Sequence, residues 1–198
     1  GAADSPRIKA LLLTRRSYGS AYITRAADES LRRLHTDYLD VFMLHSPPRE
    51  VLLNDEIPVA LDQLRAKGKV RAWGVSAQSE AAAWTAMQMP RIDCLQIRFN
   101  VCQAKPKAEL ISRAANQGLA VIARQPFASG ALLARAAEAG LQRESVLGAC
   151  LQLAQDAEGV ASVVVGMSRP EHVAENVAAA RTDPTTPLDL ERIRALCH

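Results

Sequence analysis

The chain has 198 residues, 48% of them apolar and 23% charged, with a formal net charge of +3, the proportions of a domain that buries a core. Its 24 Lys and Arg are scattered along the sequence, not blocked, so it carries no nucleic-acid footprint. No apolar run approaches the roughly 18 residues of a membrane span, and no charged-then-apolar leader opens the chain.

The first apolar run, residues 8–13, ends in Thr14, Arg15, Arg16, Ser17 and Tyr18. Residues 28–34 read as the end of an amphipathic helix, Asp37 and Asp40 mark a polar turn, and 39–44 is an apolar run of strand length that His45, Ser46, Pro47 and Pro48 stop. Further runs at 70–75, 94–99, 119–123 and 161–165 are each followed by polar or glycine punctuation. Helical stretches lie between them, at 79–87 and 131–139 among others, and a last one spans 188–196. Strand alternating with helix predicts an α/β fold with about six parallel strands. Each crossover returns the chain to the same starting edge, so the polar strand ends must share one side. His45 is then expected on a buried strand's tip in company with other polar tips, where α/β barrels keep their chemistry.

Six segments in order carry a resemblance. They are Ser30-Leu-Arg-Arg-Leu34 with Asp37-Tyr-Leu-Asp40, Leu44-His-Ser-Pro47, the stretch from Leu64 through Lys-Val-Arg-Ala-Trp-Gly-Val to Ser76, Leu95-Gln-Ile-Arg-Phe-Asn100, Ile122-Ala-Arg-Gln-Pro-Phe-Ala-Ser-Gly130, and Val165-Gly-Met-Ser-Arg-Pro-Glu-His-Val-Ala-Glu-Asn176. From about Arg25 onward the chain resembles the aldo-keto reductases. The resemblance implies a TIM-barrel-like (β/α) fold and NAD(P)H-dependent reduction of a carbonyl, with His45 as the retained catalytic residue. The family's aspartate and proton-donating tyrosine belong to a region preceding residue 8. Arg15 stands where a lysine is expected and keeps only its charge. Tyr18 is a candidate substitute acid, its pKa lowered if Arg15, Arg16 and His45 surround it.

The same resemblance assigns a cofactor path. Ser76 and Gln96 match the pair that grips the nicotinamide carboxamide, with Ala77 in place of an asparagine, and Arg124 occupies the place of a stacking aromatic ring. Gln125, Phe127, Ser129 and Gly130 correspond to a loop around the pyrophosphate, and Gly166, Met167 and Ser168 precede a helix start suited to a phosphate. Glu175 and Asn176 match adenine contacts, whereas His172 replaces an arginine that meets the ribose phosphate, leaving NADP and NAD both open. Arg98, Asn100 and Arg124 are candidate substrate-binding residues, and arginines at the mouth favour an anionic ligand. Two alternatives stand beside the reductase: non-redox acid/base chemistry on an anionic substrate at the same strand ends, and a non-catalytic binding descendant that uses no cofactor.

A complete eight-unit barrel takes about 250 residues. Six runs in 198 residues fall short by two βα units, so the expectation is a single truncated domain over 1–198 lacking the first two units. Its open edges, near Leu11 and Val164, predict a homodimer that covers them. Cys94, Cys102, Cys150 and Cys197 lack metal-ligand spacing and are few for a disulfide framework. Reduced thiols in a cytoplasm, Cys94 and Cys150 as core filler, and no metal follow as expectations. Trp73 and Trp84 are expected to pack in the interior.

Overall fold

The structure is a computed structural model that describes residues 18–181 and 187–197, and all of their side chains except 105, 106 and 187–189. Helix α1 (Ser20–Leu34) buries Ile23, Ala27 and Leu31, one stripe at spacings of four. It ends where His35 turns left-handed at φ 52° and the Thr36 N–H donates to Leu31 O at 3.2 Å. After strand β1 (Leu39–His45) come α2 (Arg49–Leu52), α3 (Glu56–Ala66), β2 (Val70–Ser76), α4 (Glu80–Ala86), β3 (Cys94–Arg98), α5 (Ala104–Asn116) and β4 (Ala120–Arg124). A 3₁₀ turn (Ala128–Gly130), α6 (Ala131–Glu138), α7 (Arg143–Gln155), β5 (Val160–Val164), α8 (Pro170–Ala179) and α9 (Pro187–Ala195) complete the order.

The strands form one parallel sheet in the order β1-β2-β3-β4-β5. Each begins and ends within one residue of its apolar run, and the remaining run, 8–13, lies outside the described residues. His45 is opposite Ser76, Ser76 opposite Gln96, Arg98 opposite Arg124, and Arg124 opposite Val164. The polar tips therefore share one edge, as the crossover argument requires. One expectation changes: among the described residues β1 and β5 each pair on one side only, and Val41 and Val164 are 44% and 47% exposed. His45 is thus exposed, at the end of a strand that among the described residues pairs with β2 alone.

Two apolar clusters support this edge. The larger one packs Leu61, Leu64, Trp73, Val75, Leu95 and Val121 between β1–β4 and their helices. Trp73 is fully buried and Trp84 partly so. The Trp73 N–H donates to Asp93 Oδ2 at 2.8 Å and its indole Nε1 to Asp62 Oδ1 at 3.3 Å, while Arg65 pairs with the same Asp93 carboxylate. Gly74 is dictated by close approach, since a Cβ there would lie 2.2 Å from the Cys94 carbonyl oxygen on the paired strand. The second cluster gathers Val101, Phe127, Leu132, Val146, Leu147 and Ile193 where α6, α7 and α9 meet.

Cys94 and Cys150 are buried free thiols in apolar surroundings, as expected. Burial pushes the Cys94 thiol up to about 11, with Asp93 adding to it, and the Cys150 thiol up to about 12. The other two cysteines correct the reading of four reduced thiols. Cys102 and Cys197, their Cα atoms 5.4 Å apart, form a disulfide across 95 residues of sequence. Helix α9 folds back onto the second cluster, where Ile193 is 1% exposed, and this return brings Cys197 to the loop after β3. No local spacing announces such a contact. Among the described residues no helix is long and apolar enough to cross a membrane, and no group of His, Cys, Asp and Glu could hold a metal ion.

Candidate active site

Backbone strain is concentrated at the strand-tip edge. Among the described residues, four of the six non-glycine residues with positive φ lie in loops leaving strand ends: Ser46 at 54°, Gln125 at 58°, Ala128 at 48° and Ser129 at 60°. Each such residue costs of order 1 kcal/mol and persists where the surroundings hold it, a pattern found at ligand sites. Helix ends account for only part of it.

At β1, the Tyr18 hydroxyl donates to the carbonyl of His45 at 2.7 Å and lies 3.1 Å from the carbonyl of Ser46. Tyr18 reaches the His45 segment as anticipated, although its hydroxyl meets main chain. Tyr18, Tyr22, Phe42 and His45 line a cleft of about 250 Å³ beside the sheet edge. Arg15 lies outside the described residues.

One strand over, Ser76 is 2% exposed and its Oγ donates to Gln96 Oε1 at 2.6 Å. This fixes the Gln96 oxygen inward and leaves its amide nitrogen free to donate outward. Ala77, at the asparagine position, is buried and its N–H donates to Gln96 O at 2.9 Å. Asn100 is 4% exposed: its Nδ2 donates to Gln125 O at 3.3 Å and its Oδ1 accepts from Cys102 N–H at 3.2 Å. Its amide therefore braces the loops after β3 and β4.

Cations gather between these groups. Arg98 donates to Gln78 O at 3.1 Å, and Arg124 donates to Ala77 O at 3.1 Å and Gln78 Oε1 at 3.4 Å. Lys107, on α5, donates to Arg98 O and to Gln103 Oε1, the latter at 2.7 Å. Burial first, then the Arg98 charge, lowers the Lys107 ammonium to about 8, with Glu80 opposing the shift. The same two causes lower Arg124.

Across the tips of β4 and β5 runs a cleft of about 340 Å³. Of the residues assigned to a cofactor, Gln125, Phe127, Gly166, Ser168, His172 and Asn176 line it, as do Ser129 and Gly130. Its far wall is the start of α8, where Arg169 is the N-cap residue without a side-chain cap bond and Pro170 opens the helix. Four assigned residues do not line it: Ser76 and Gln96 lie on β2 and β3, and Met167 and Glu175 lie apart. Met167 is 45% exposed and is not among the lining residues, and Glu175 is occupied by Arg143, whose Nε and Nη2 donate to Glu175 Oε2 at 3.1 and 2.9 Å.

Sequence reasoning missed Arg143, Lys107 and Gln78. Arg143 lines the large cleft from the first turn of α7, and Gln78 joins three strand-end loops through Ser46, Arg98 and Arg124. The i, i+4 spacing of Gln103 and Lys107 on α5 was the one available signal.

With this geometry in view, the family model described as the aldo/keto reductase family matches residues 12–145. The uncharacterized oxidoreductase YqkF of Bacillus subtilis is 28% identical over 203 residues, covering 89% of this chain and 65% of that protein. The NADH-specific methylglyoxal reductase of Escherichia coli is 26% identical over 185 residues, covering 76% of this chain and 56% of that protein. The holo form of the aldo-keto reductase AKR11C1 from Bacillus halodurans superposes with a TM-score of 0.74 at 25% identity, over 92% of this chain and 69% of that one. The chain thus spans less than two thirds of the length of these two curated relatives. Its parallel sheet with tip-edge clefts agrees with the barrel neighbours, and the family match extends over more than half of its residues: the chain belongs to the aldo/keto reductase family.

Proposed function

We propose that this chain serves the NAD(P)H-dependent reduction of a carbonyl group in a small molecule. The observation that carries the reading is the 340 Å³ cleft, because six of its lining residues, Gln125, Phe127, Gly166, Ser168, His172 and Asn176, are those assigned to a dinucleotide on sequence grounds. The donor set fits: an uncapped ten-residue helix start and Ser168 suit a phosphate, and the free Gln96 amide suits a carboxamide oxygen. When bound, a reduced nicotinamide supplies the hydride to the carbonyl carbon.

The chain's own residues then have distinct tasks. Ser76 holds Gln96 in orientation, and Asn100 fixes the loop after β4 that bears Gln125 and Phe127. His45 orients the carbonyl oxygen at the β1 tip. Tyr18 is the proton donor, in which case its hydroxyl must leave the His45 carbonyl to act. His172 at the ribose end favours NAD as readily as NADP, since an imidazole lacks the forked donors with which an arginine holds a phosphate. Glu175 joins Asn176 at the adenine end once Arg143 releases the carboxylate, and Met167 belongs with Gly166 and Ser168 to the segment before the phosphate-binding helix start. A homodimer closing the open edges near Leu11 and Val164 belongs to the same proposal. A cytoplasmic location belongs to it only if the Cys102–Cys197 bond opens under that compartment's thiol poise.

Titration of the purified chain with NADPH and NADH, followed by tryptophan fluorescence, tests the reading. Saturable binding is expected, and no binding at several hundred micromolar of either cofactor would remove it. Replacing Tyr18 by Phe without loss of turnover would remove the proton-donor assignment alone, and sedimentation at the monomer mass would remove the dimer.

A further inference from the structure

The three cations between β3, β4 and α5 are each partly buried. Five other arginines pair with carboxylates: Arg33 with Glu29, Arg65 with Asp62 and Asp93, Arg71 with Asp40, Arg91 with Asp62 and Arg143 with Glu175. Among the described residues no carboxylate lies within ion-pair distance of Arg98, Arg124 or Lys107. Arg98 and Arg124 are register partners on adjacent parallel strands, so their side chains leave the same face at the same level. Like charges so placed repel. Apart from the Glu80 carboxylate, whose charge favours the Lys107 ammonium, their partners are neutral oxygens: Gln78 O and Oε1, Ala77 O, Arg98 O and Gln103 Oε1.

Those oxygens do not exhaust the donors. The Arg124 Nε is buried without a hydrogen-bond partner, as are Arg65 Nε and Asp62 Oδ2, so donor capacity in the cluster is unspent. Arg98 and Lys107 face a cavity of about 210 Å³ lined also by Gln78, Ser79 and Gln103. Glu80 lines it too, and the Trp84 indole lies 3.4 Å from the Glu80 carboxylate. This cavity is lined by β2–β3 tip residues and α5, whereas the dinucleotide-sized cleft is lined by residues after β4 and β5.

From this we infer that Arg98, Arg124 and Lys107 form an oxyanion subsite, and that the carbonyl substrate carries a carboxylate or phosphate group which docks there. The inference deepens the reductase reading and rests on it for the word substrate. A planar guanidinium pair accepts either oxyanion through parallel N–H donors, and the ammonium adds a point charge. Burial makes each contact stronger than it would be in water. Anion binding in turn holds the Lys107 proton, so affinity should weaken as pH rises through 8.

Calorimetric titration of the full chain with oxalate and, separately, with inorganic phosphate tests the subsite without turnover. One-to-one binding of at least one anion is expected, weakened at least tenfold in Arg98→Met, retained within about threefold in Arg98→Lys, and unaffected by His172→Ala in the other cleft. Oxalate binding alone assigns a carboxylate, and phosphate binding alone a phosphate. Should Arg98→Met fail to fold, modification of the native chain by phenylglyoxal serves instead, with the better anion expected to protect Arg98 and Arg124. Absence of binding by both anions, loss of binding in His172→Ala but not Arg98→Met, or no protection of the two arginines overturns the inference. Cofactor binding with no anion binding sinks the subsite and spares the reductase, while anion binding with no cofactor binding does the reverse.

Discussion

Opening the Cys102–Cys197 bond should destabilise the chain by several kcal/mol. The bond closes a loop of 95 residues, and the chain-entropy relation gives about 4.7 kcal/mol at 25 °C for a loop of that size. Residual structure in the reduced unfolded chain subtracts from this figure, so about 3–4 kcal/mol is the expected loss. For a chain of this length that corresponds to a fall in Tm of roughly 8–14 °C. Little else replaces the bond. Helix α9 is otherwise held by the burial of Ile193, by partly buried Leu190 and Leu196, and by Arg135 Nη1 donating to Leu196 O at 2.7 Å.

The assay is urea unfolding of oxidised protein, dithiothreitol-treated protein and Cys197→Ser, followed by the fluorescence of buried Trp73. The thiol count supplies an independent check: chain denatured without reductant should titrate two thiols, Cys94 and Cys150, and chain denatured after reduction should titrate four. The consequence extends to the clefts, because Cys102 N–H is bonded to Asn100, and Asn100 braces the Gln125 loop. Reduction should therefore raise protease sensitivity around 125–130 as well as at the carboxyl end. Four thiols in the unreduced denatured chain, or oxidised and reduced midpoints that differ by less than 1 kcal/mol, would refute the reasoning.

Gly74→Ala should cost about 2–3 kcal/mol, because its new Cβ meets the Cys94 carbonyl oxygen and Sγ on the adjacent strand; thermal denaturation checks this, and an unchanged Tm would contradict the β2–β3 register. Ser76→Ala removes the hydroxyl that orients Gln96 and should weaken cofactor binding about three- to tenfold at nearly constant stability, read as a paired dissociation constant and urea midpoint. Stability should pass through a maximum near pH 9. Between pH 8 and 9 the native chain sheds the Lys107 proton that the unfolded chain keeps, so stability rises, by less than about 1 kcal/mol after allowance for its half-exposed position. Above pH 9 the unfolded thiols ionise while buried Cys94 and Cys150 stay neutral up to about 11 and 12, each removing up to about 1.4 kcal/mol per pH unit. Two falling contributions exceed one rising one, and urea midpoints at pH 8, 9 and 10.5 should show it, with Cys150→Ala losing roughly half the alkaline fall.

The strands and their common edge were legible because apolar runs of five to seven residues between helical periods leave few other arrangements. That several residues after β4 and β5 would line one cleft was legible for a related reason, since they lie in short segments that follow neighbouring strands. What escaped the sequence is contact between distant segments. Cys102 and Cys197, Arg143 and Glu175, and Gln78 with three separate loops each join residues whose separation carries no period. Glu175 shows the limit well: its place on α8 followed from the pattern, but the guanidinium that occupies it came from α7. Likewise the exposure of β1 depends on which neighbour stands beside it, and that is a property of the sheet, not of the strand.

Strand spacing ties the two sites into one order. Neighbouring strands lie about 4.8 Å apart, so His45, Ser76 and Gln96 on β1, β2 and β3 are successive steps along the tip edge, and on β4 Arg124 stands opposite Arg98, two residues beyond the level of Gln96. A ligand whose phosphates sit over β4 and β5 must extend toward β2 and β3 before its far end meets Ser76 and Gln96, and only then does it come within one strand of His45. Hydride transfer requires the reacting atoms about 3–3.5 Å apart, so the carbonyl must also lie near β2. An oxyanion anchored on Arg98 and Lys107 beside Gln78 would hold a short substrate at that position, with its carbonyl between Gln96 and His45. A neutral carbonyl of the same length has no such anchor. If this order is right, lengthening the substrate by one carbon between carbonyl and carboxylate should lower turnover more than it lowers binding, because the anchor stays while the carbonyl moves past the hydride.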